Sequence, residues 1–192
     1  MKCLKVAGLT VIYVAALSMM SATASATVLT SPPGTGYTGG TLKLSSTHTS
    51  VHPGSGTSFL TVTCESAVIQ GVLETDGAGV SARTRPLSSL SFTKCGNDLV
   101  TVAQTGALEI YSLGGGKGTV TSTGMEVEFH TSEGPTCTMT TKGTDIGVLT
   151  GGTPASLSIG SSSIPMSGFL CPSTAVWTGG FTVTTPGTLL ID

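Results

Sequence analysis

Phe59-Leu60-Thr61-Val62-Thr63-Cys64 alternates without a break: Leu60, Val62 and Cys64 fall on one side of an extended chain, Thr61 and Thr63 on the other. Successive side chains of a strand point to opposite faces, so this pattern describes a strand with one face buried and one face wet. The same rhythm recurs outward in both directions. Upstream, residues 37–45 set Leu42 and Leu44 against Thr41 and Lys43, and residues 48–56 read as a loop. Downstream, residues 68–73 extend the sheet, and Asp76-Gly77-Ala78-Gly79 predicts a turn. Residues 87–95 and 99–103 bracket a hairpin turn at Gly96-Asn97-Asp98. Residues 107–113 place Leu108 and Ile110 inward around Glu109 and stop at Gly114-Gly115-Gly116.

Beyond that break, residues 125–130 alternate Met125, Val127 and Phe129 with Glu126, Glu128 and His130, and Cys137 shares a face with Met139. Shorter strand-like pieces cover 146–149, 157–159, 175–177, 181–185 and 189–191. After the first 26 residues, no stretch repeats apolar residues at helical spacing over ten or more positions. Many short strands punctuated by glycine and proline predict an all-β chain, an antiparallel sandwich or a barrel-like fold.

The cysteines fall into two matching frames. Cys64 leads to Gly71-Val72-Leu73 and then Cys95; Cys137 leads to Gly147-Val148-Leu149 and then Cys171, with equal spacing from glycine to second cysteine. Four cysteines allow three pairings, and the repeated spacing favours Cys64–Cys95 and Cys137–Cys171. Each bridge is expected to stabilise by about 3–4 kcal/mol in the chain-entropy model. The frames also suggest two pseudo-repeated halves, about 59–113 and 134–192.

The fifth cysteine, Cys3, lies in a leader. Lys2 and Lys5 precede a mostly apolar run over 6–20, and Ala24-Ser25-Ala26 fits a small-x-small cleavage site. The run is shorter than a membrane span requires. Residues 1–26 therefore read as a secretory signal and 27–192 as one secreted domain, extracellular or at the cell surface, with no transmembrane anchor after cleavage. Only 9% of residues are charged, eight Lys and Arg against ten Asp and Glu. No basic cluster exists, so a nucleic-acid partner has no electrostatic footing.

Reactive residues are sparse. No Gly-x-Ser-x-Gly elbow occurs, and Gly54-Ser55-Gly56 lacks its spacing. His48, His52 and His130 are the bases on offer. His48 with His52, and Glu126 with Glu128 and His130, share extended-chain faces and could supply a zinc-like ligand set, but solvent-facing polar positions account for them with less. The same holds for Glu126 and Glu128 as paired glycosidase carboxylates, and for Glu74-Thr75-Asp76-Gly77 as a calcium turn. No catalytic, metal or cofactor residues are assigned. Trp177, the only tryptophan, reads as a core ring near a disulfide, or else as an exposed ligand platform.

Thr35-Gly36-Tyr37-Thr38-Gly39, Thr61-Val62-Thr63-Cys64, Leu90-Ser91-Phe92-Thr93-Lys94-Cys95 and the ending over 171–186 resemble a family of small exported bacterial proteins, chiefly actinobacterial. The cysteine–strand–cysteine rhythm is also similar, more distantly, to the secreted activators of alkane oxidation. That likeness implies an accessory role near hydrophobic substrates and supplies no active-site residues. Where the family often carries Leu-Pro-Trp, this chain has Gln104-Thr105-Gly106-Ala107.

The expectation is a non-enzymatic secreted or cell-surface β domain acting by binding or assembly, with self-association or a cell-envelope role. Residues 181–191 either pair within the domain or complete a neighbour's sheet. The alternatives are an extracellular carrier of a small apolar ligand, a lipid or an alkane, and a secreted hydrolase using His130 or His48.

Overall fold

The computed structural model describes residues 29–31, 34–54, 61–76, 81–130 and 134–192, and among these there is no helix. The strands are β1 (Leu29–Thr30), β2 (Thr41–Ser46), β3 (Thr49–Pro53), β4 (Val62–Cys64), β5 (Ser66–Asp76), β6 (Ala82–Thr84), β7 (Ser89–Thr93), β8 (Leu99–Gly114), β9 (Lys117–His130), β10 (Thr136–Thr150), β11 (Ser156–Ser167), β12 (Thr174–Thr185) and β13 (Leu190–Ile191).

Of the two architectures expected, the chain adopts the barrel: eight antiparallel strands closed on themselves, with extra strands. Its order is simple once the short pieces are joined. β2 and β3 both lie along β12, through Ser45↔Thr182 and Thr49↔Gly179, so they are two arms of one bent strand. β4 and β5 likewise run along that bent strand, through Cys64↔Thr49 and Ala67↔Ser46. β6 and β7 both lie on β5, through Thr84↔Leu73 and Thr93↔Ser66. The circuit is then β2–β3, β4–β5, β6–β7, β8, β9, β10, β11 and β12, each beside its successor, and β12 returns to β2–β3. This is an up-and-down barrel, which removes the sheet edges that an open sheet leaves to aggregation.

Two expected breaks are absent because glycine bends the strands instead of ending them. Gly106, Gly124 and Gly143 have φ of 67°, 72° and 67° on neighbouring β8, β9 and β10. Each resets the alternation of a strand that then continues, so 99–103 and 107–113 are one strand, and 137–141 and 146–149 another. The register slips beside these kinks, as curved walls require. A hydroxyl takes up one of the amides displaced: Thr141 Oγ1 accepts from Met125 N at 3.0 Å and sits 3.0 Å from Ser122 Oγ, all buried. The predicted loop over 48–56 also contains a strand, β3, whose inward positions are Thr49, Val51 and Pro53. Only one of those is a large apolar residue, so alternation there is faint. The predicted turn over 76–79 lies, after Asp76, outside the described residues.

An eight-stranded barrel has an interior just wide enough for side chains to fill, and here they fill it. Trp177, Phe181, Leu44, Ile69, Leu108, Met125 and Met139 are among the large residues fully buried in one continuous core. One end of the barrel is covered by the chain's own outer strands. β1 pairs with β13, Gly152 bridges Leu189, and Leu29, Leu189 and Ile191 are buried there. Residues 181–191 thus serve their own domain: β12 closes the wall and β13 the end.

Both disulfides form as the spacing favoured, Cys64–Cys95 and Cys137–Cys171, and both stand at the opposite end. Their frames are related by a shift of four strands. In each, the first cysteine lies in the early part of a wall strand (at the end of β4 in β4–β5, then near the start of β10) and the second lies beyond the next wall strand (β7, then β11). Gly71-Val72-Leu73 and Gly147-Val148-Leu149 both fall in the later part of those strands, with Leu73 and Leu149 inward.

Candidate functional site

Trp177 is a core ring. It is 0% exposed, donates from Nε1 to Thr49 Oγ1 at 2.8 Å, and meets Phe92 and Phe181 edge-on. As a candidate ligand platform it is corrected: β12 turns the ring inward, and no face remains for a surface ligand. The histidines are dispersed. His48 sits exposed between β2 and β3, with its backbone N–H and carbonyl both held by Ser46 Oγ. His52 lies on the outer face of β3. His130 Nδ1 is 3.0 Å from Thr136 Oγ1, and its Nε2 is 3.5 Å from Glu128. Glu126 takes a hydrogen bond from Gln104 Nε2 at 3.3 Å. Glu74 and Asp76 lie at the end of β5. Among the described residues, no group of three His, Cys, Asp or Glu side chains converges as a metal site would.

Two features that no spacing rule singled out stand on the outside of the barrel. The first is a split in the wall. β10 and β11 are in register at Thr138↔Ser167 and Met139↔Met166, and again from Gly147↔Ile159 to Thr150↔Ser156, but not between. The separation opens a cleft of about 450 Å³ whose lining includes Thr119, Thr144, Asp145, Gly160 and Ser163. Where the ladder closes again, Gly147 is required: a Cβ there would overlap the Ser158 carbonyl oxygen.

Alongside the cleft, the outer face of β6, β8 and β9 is polar and ordered. Cross-strand register sets Arg83, Glu109, Thr121 and Asp145 in one row, and Tyr111, Thr119 and Val148 in the next. Ser81 Oγ donates to Glu109 Oε1. Tyr111 also hydrogen-bonds Glu109; that bond, burial and the carboxylate's charge raise the phenol's pKa, with Ser81 and Arg83 opposing. The Tyr111 ring lies on the surface of this face, partly exposed.

The second feature is at the stapled end. Gly168, Phe169, Leu170 and Cys171 form a tight turn closed by Cys171 N to Gly168 O at 3.3 Å. Phe169 is 84% and Leu170 70% exposed, and Leu170 has φ of 60°. A left-handed backbone costs a residue with a Cβ about 1–2 kcal/mol, so two large apolar side chains are held out to solvent in a conformation that suits glycine. Replacing Leu170 with glycine should raise the unfolding free energy by about 0.5–1 kcal/mol, the relief of strain less the extra entropy of an unfolded glycine. Urea melts of the two proteins measure it; an unchanged or lower midpoint would mean that Leu170 packs in a way its exposure does not suggest.

Periodicity could not reveal the first feature, because the residues of each row come from different strands and only register brings them together. No protein-family model, curated protein or solved structure matches the chain.

Proposed function

We propose that this chain is an exported, non-enzymatic binding protein: a disulfide-stapled barrel that recognises its partner on its outer wall. The observation that supports this most is the filled interior. With Trp177, Phe181, Met125 and Met139 fully buried together, the volume that a carrier barrel reserves for its ligand is occupied by the protein's own core. Binding then falls to the outside, where the wall cleft and the ordered Glu109–Tyr111 face lie. Wall closure favours recognition by a single barrel over assembly through strand exchange. The disulfides fit an oxidising, extracytoplasmic setting. A second reading, contact with an apolar surface, rests on the exposed Phe169-Leu170 turn.

Trp177 provides the test, since it is the only tryptophan and is buried in the core. Titrating the full chain, disulfides intact, with cis-parinaric acid should leave Trp177 emission unchanged, and light scattering on a sizing column should report a monomer. Saturable energy transfer from Trp177 to the probe would overturn the outer-wall reading in favour of an interior carrier. Filamentous species would overturn it in favour of assembly.

A further inference from the structure

The geometry points to a binding site for a neutral oligosaccharide on the outer wall, formed by the cleft between β10 and β11 with Tyr111 as its aromatic platform. This inference rests on the outer-wall reading above and names the ligand class.

The chemistry of the lining decides the class. The cleft presents hydroxyls from Thr119, Thr144 and Ser163 and one carboxylate, Asp145. Hydroxyls donate and accept, and a carboxylate accepts, which matches a ligand that is itself a dense set of hydroxyls. Among the described residues no lysine, arginine or histidine lines the cleft, and Arg83, the cation near Tyr111, stands in register with Glu109, so a phosphate or carboxylate ligand in the cleft would face Asp145. Of the described lining residues only Ile146 and Val148 are large and apolar, and Ile146 is fully buried beneath. That is too little for an alkane or acyl chain, whose sites are lined chiefly by apolar side chains.

The wall split leaves the facing edges of β10 and β11 without a shared ladder, although Lys142 N–H is taken by Thr144 Oγ1. Over the stretch between Met139 and Gly147, β10 stays paired with β9 through three register slips and has no partners on β11. Gly160 on the far side is exposed and carries no side chain to obstruct approach.

Tyr111 completes the arrangement. It is the cross-strand partner of Thr119, which is itself the partner of Val148. Adjacent strands lie about 4.8 Å apart, so Tyr111 to Val148 covers roughly 10 Å, about the span of two hexose rings. A pyranose has a face of C–H bonds that packs on an aromatic ring while its hydroxyls reach sideways. Glu109, two residues before Tyr111 on β8, lies on the same outer face.

The test is ligand-observed saturation-transfer NMR on the full chain, disulfides intact, with neutral gluco-, manno-, galacto- and N-acetylglucosamine trisaccharides, and inorganic phosphate as the anionic probe. At least one trisaccharide should bind saturably with Kd on the order of 0.1–1 mM. Tyr111→Ala and Asp145→Ala should each weaken it by about tenfold or more, and Asp145→Asn by less. Lys43→Ala on β2 should change nothing, and the near-ultraviolet signature of Trp177 certifies each variant as folded. Binding that survives both alanine substitutions, or phosphate competing at these residues, would overturn the proposal. So would the absence of saturable binding by every trisaccharide; with a monomeric barrel that excludes cis-parinaric acid, that result rejects the sugar site alone and leaves outer-wall recognition standing. Energy transfer to cis-parinaric acid would reject the underlying reading whatever the sugars do.

Discussion

Trp177→Ala should lower the unfolding free energy by about 3–5 kcal/mol, the range for emptying a buried aromatic position. A domain of ordinary stability has about 5–15 kcal/mol in total, so the variant will melt far below the native protein. Three losses add. The ring's apolar area is replaced by a cavity inside a closed barrel whose walls cannot collapse inward. The edge-on contacts with Phe92 and Phe181 disappear. Thr49 Oγ1 loses the indole N–H at 2.8 Å, although its own hydroxyl still donates to Thr178 O. Urea denaturation followed by far-ultraviolet circular dichroism measures the sum. Trp177→Phe separates the parts: it keeps most of the packing and should cost about 1–2 kcal/mol through the lost hydrogen bond and the smaller ring. A loss below about 1 kcal/mol for the alanine variant would contradict the burial of this ring.

Replacing the cysteines of either bridge with serine should cost about 3–4 kcal/mol by the entropy of loops of sequence separation 31 and 34. Both replacements together should leave little of the fold at physiological temperature. Although the two costs are similar, the bridges hold different things. Cys64–Cys95 ties the junction of β4 and β5 to the segment after β7. Cys137–Cys171 anchors the turn bearing Phe169 and Leu170. Limited digestion with chymotrypsin, which cuts after large apolar residues, should therefore distinguish the variants at temperatures where both are folded. Cleavage at Phe169 or Leu170 should accelerate in the Cys137/Cys171 variant and stay at the native rate in the Cys64/Cys95 variant. Equal cleavage in both would mean that the turn is held by its backbone hydrogen bond and not by the staple.

The alternation at Val62–Cys64, Leu42–Leu44 and Met125–Phe129 made the strands and their inward faces legible, because a half-buried strand must repeat every two residues. The repeated cysteine frames made the pairing legible as well. Strand lengths were not, since Gly106, Gly124 and Gly143 shift the phase of the pattern while the hydrogen-bonded ladder continues through them. β3 escaped because Thr49 and Pro53 occupy inward positions where periodicity looks for leucine or valine. The site was the least legible part. Tyr111, Thr119 and Asp145 have ordinary neighbours in sequence, and what joins them is the pairing of three strands. Trp177 drew attention as a rare residue, but rarity could not say which face of β12 it occupies. Its place opposite Val51 of β3, with Thr49 Oγ1 as acceptor, answers that.

The circuit of the wall also sets an order of events for the chain as it folds. Seven of the eight junctions join strands that follow one another, so each can zip as soon as its turn has formed, at small loop-closure cost. The eighth, β12 onto β2–β3, brings together residues such as Thr49 and Trp177, which lie 128 apart. It must wait until the other strands have curled the sheet far enough to meet itself. Because Trp177 sits on that last seam, its fluorescence should change late in refolding, after far-ultraviolet signals report strand formation. The same residue that fills the finished barrel thus marks the moment of its closure.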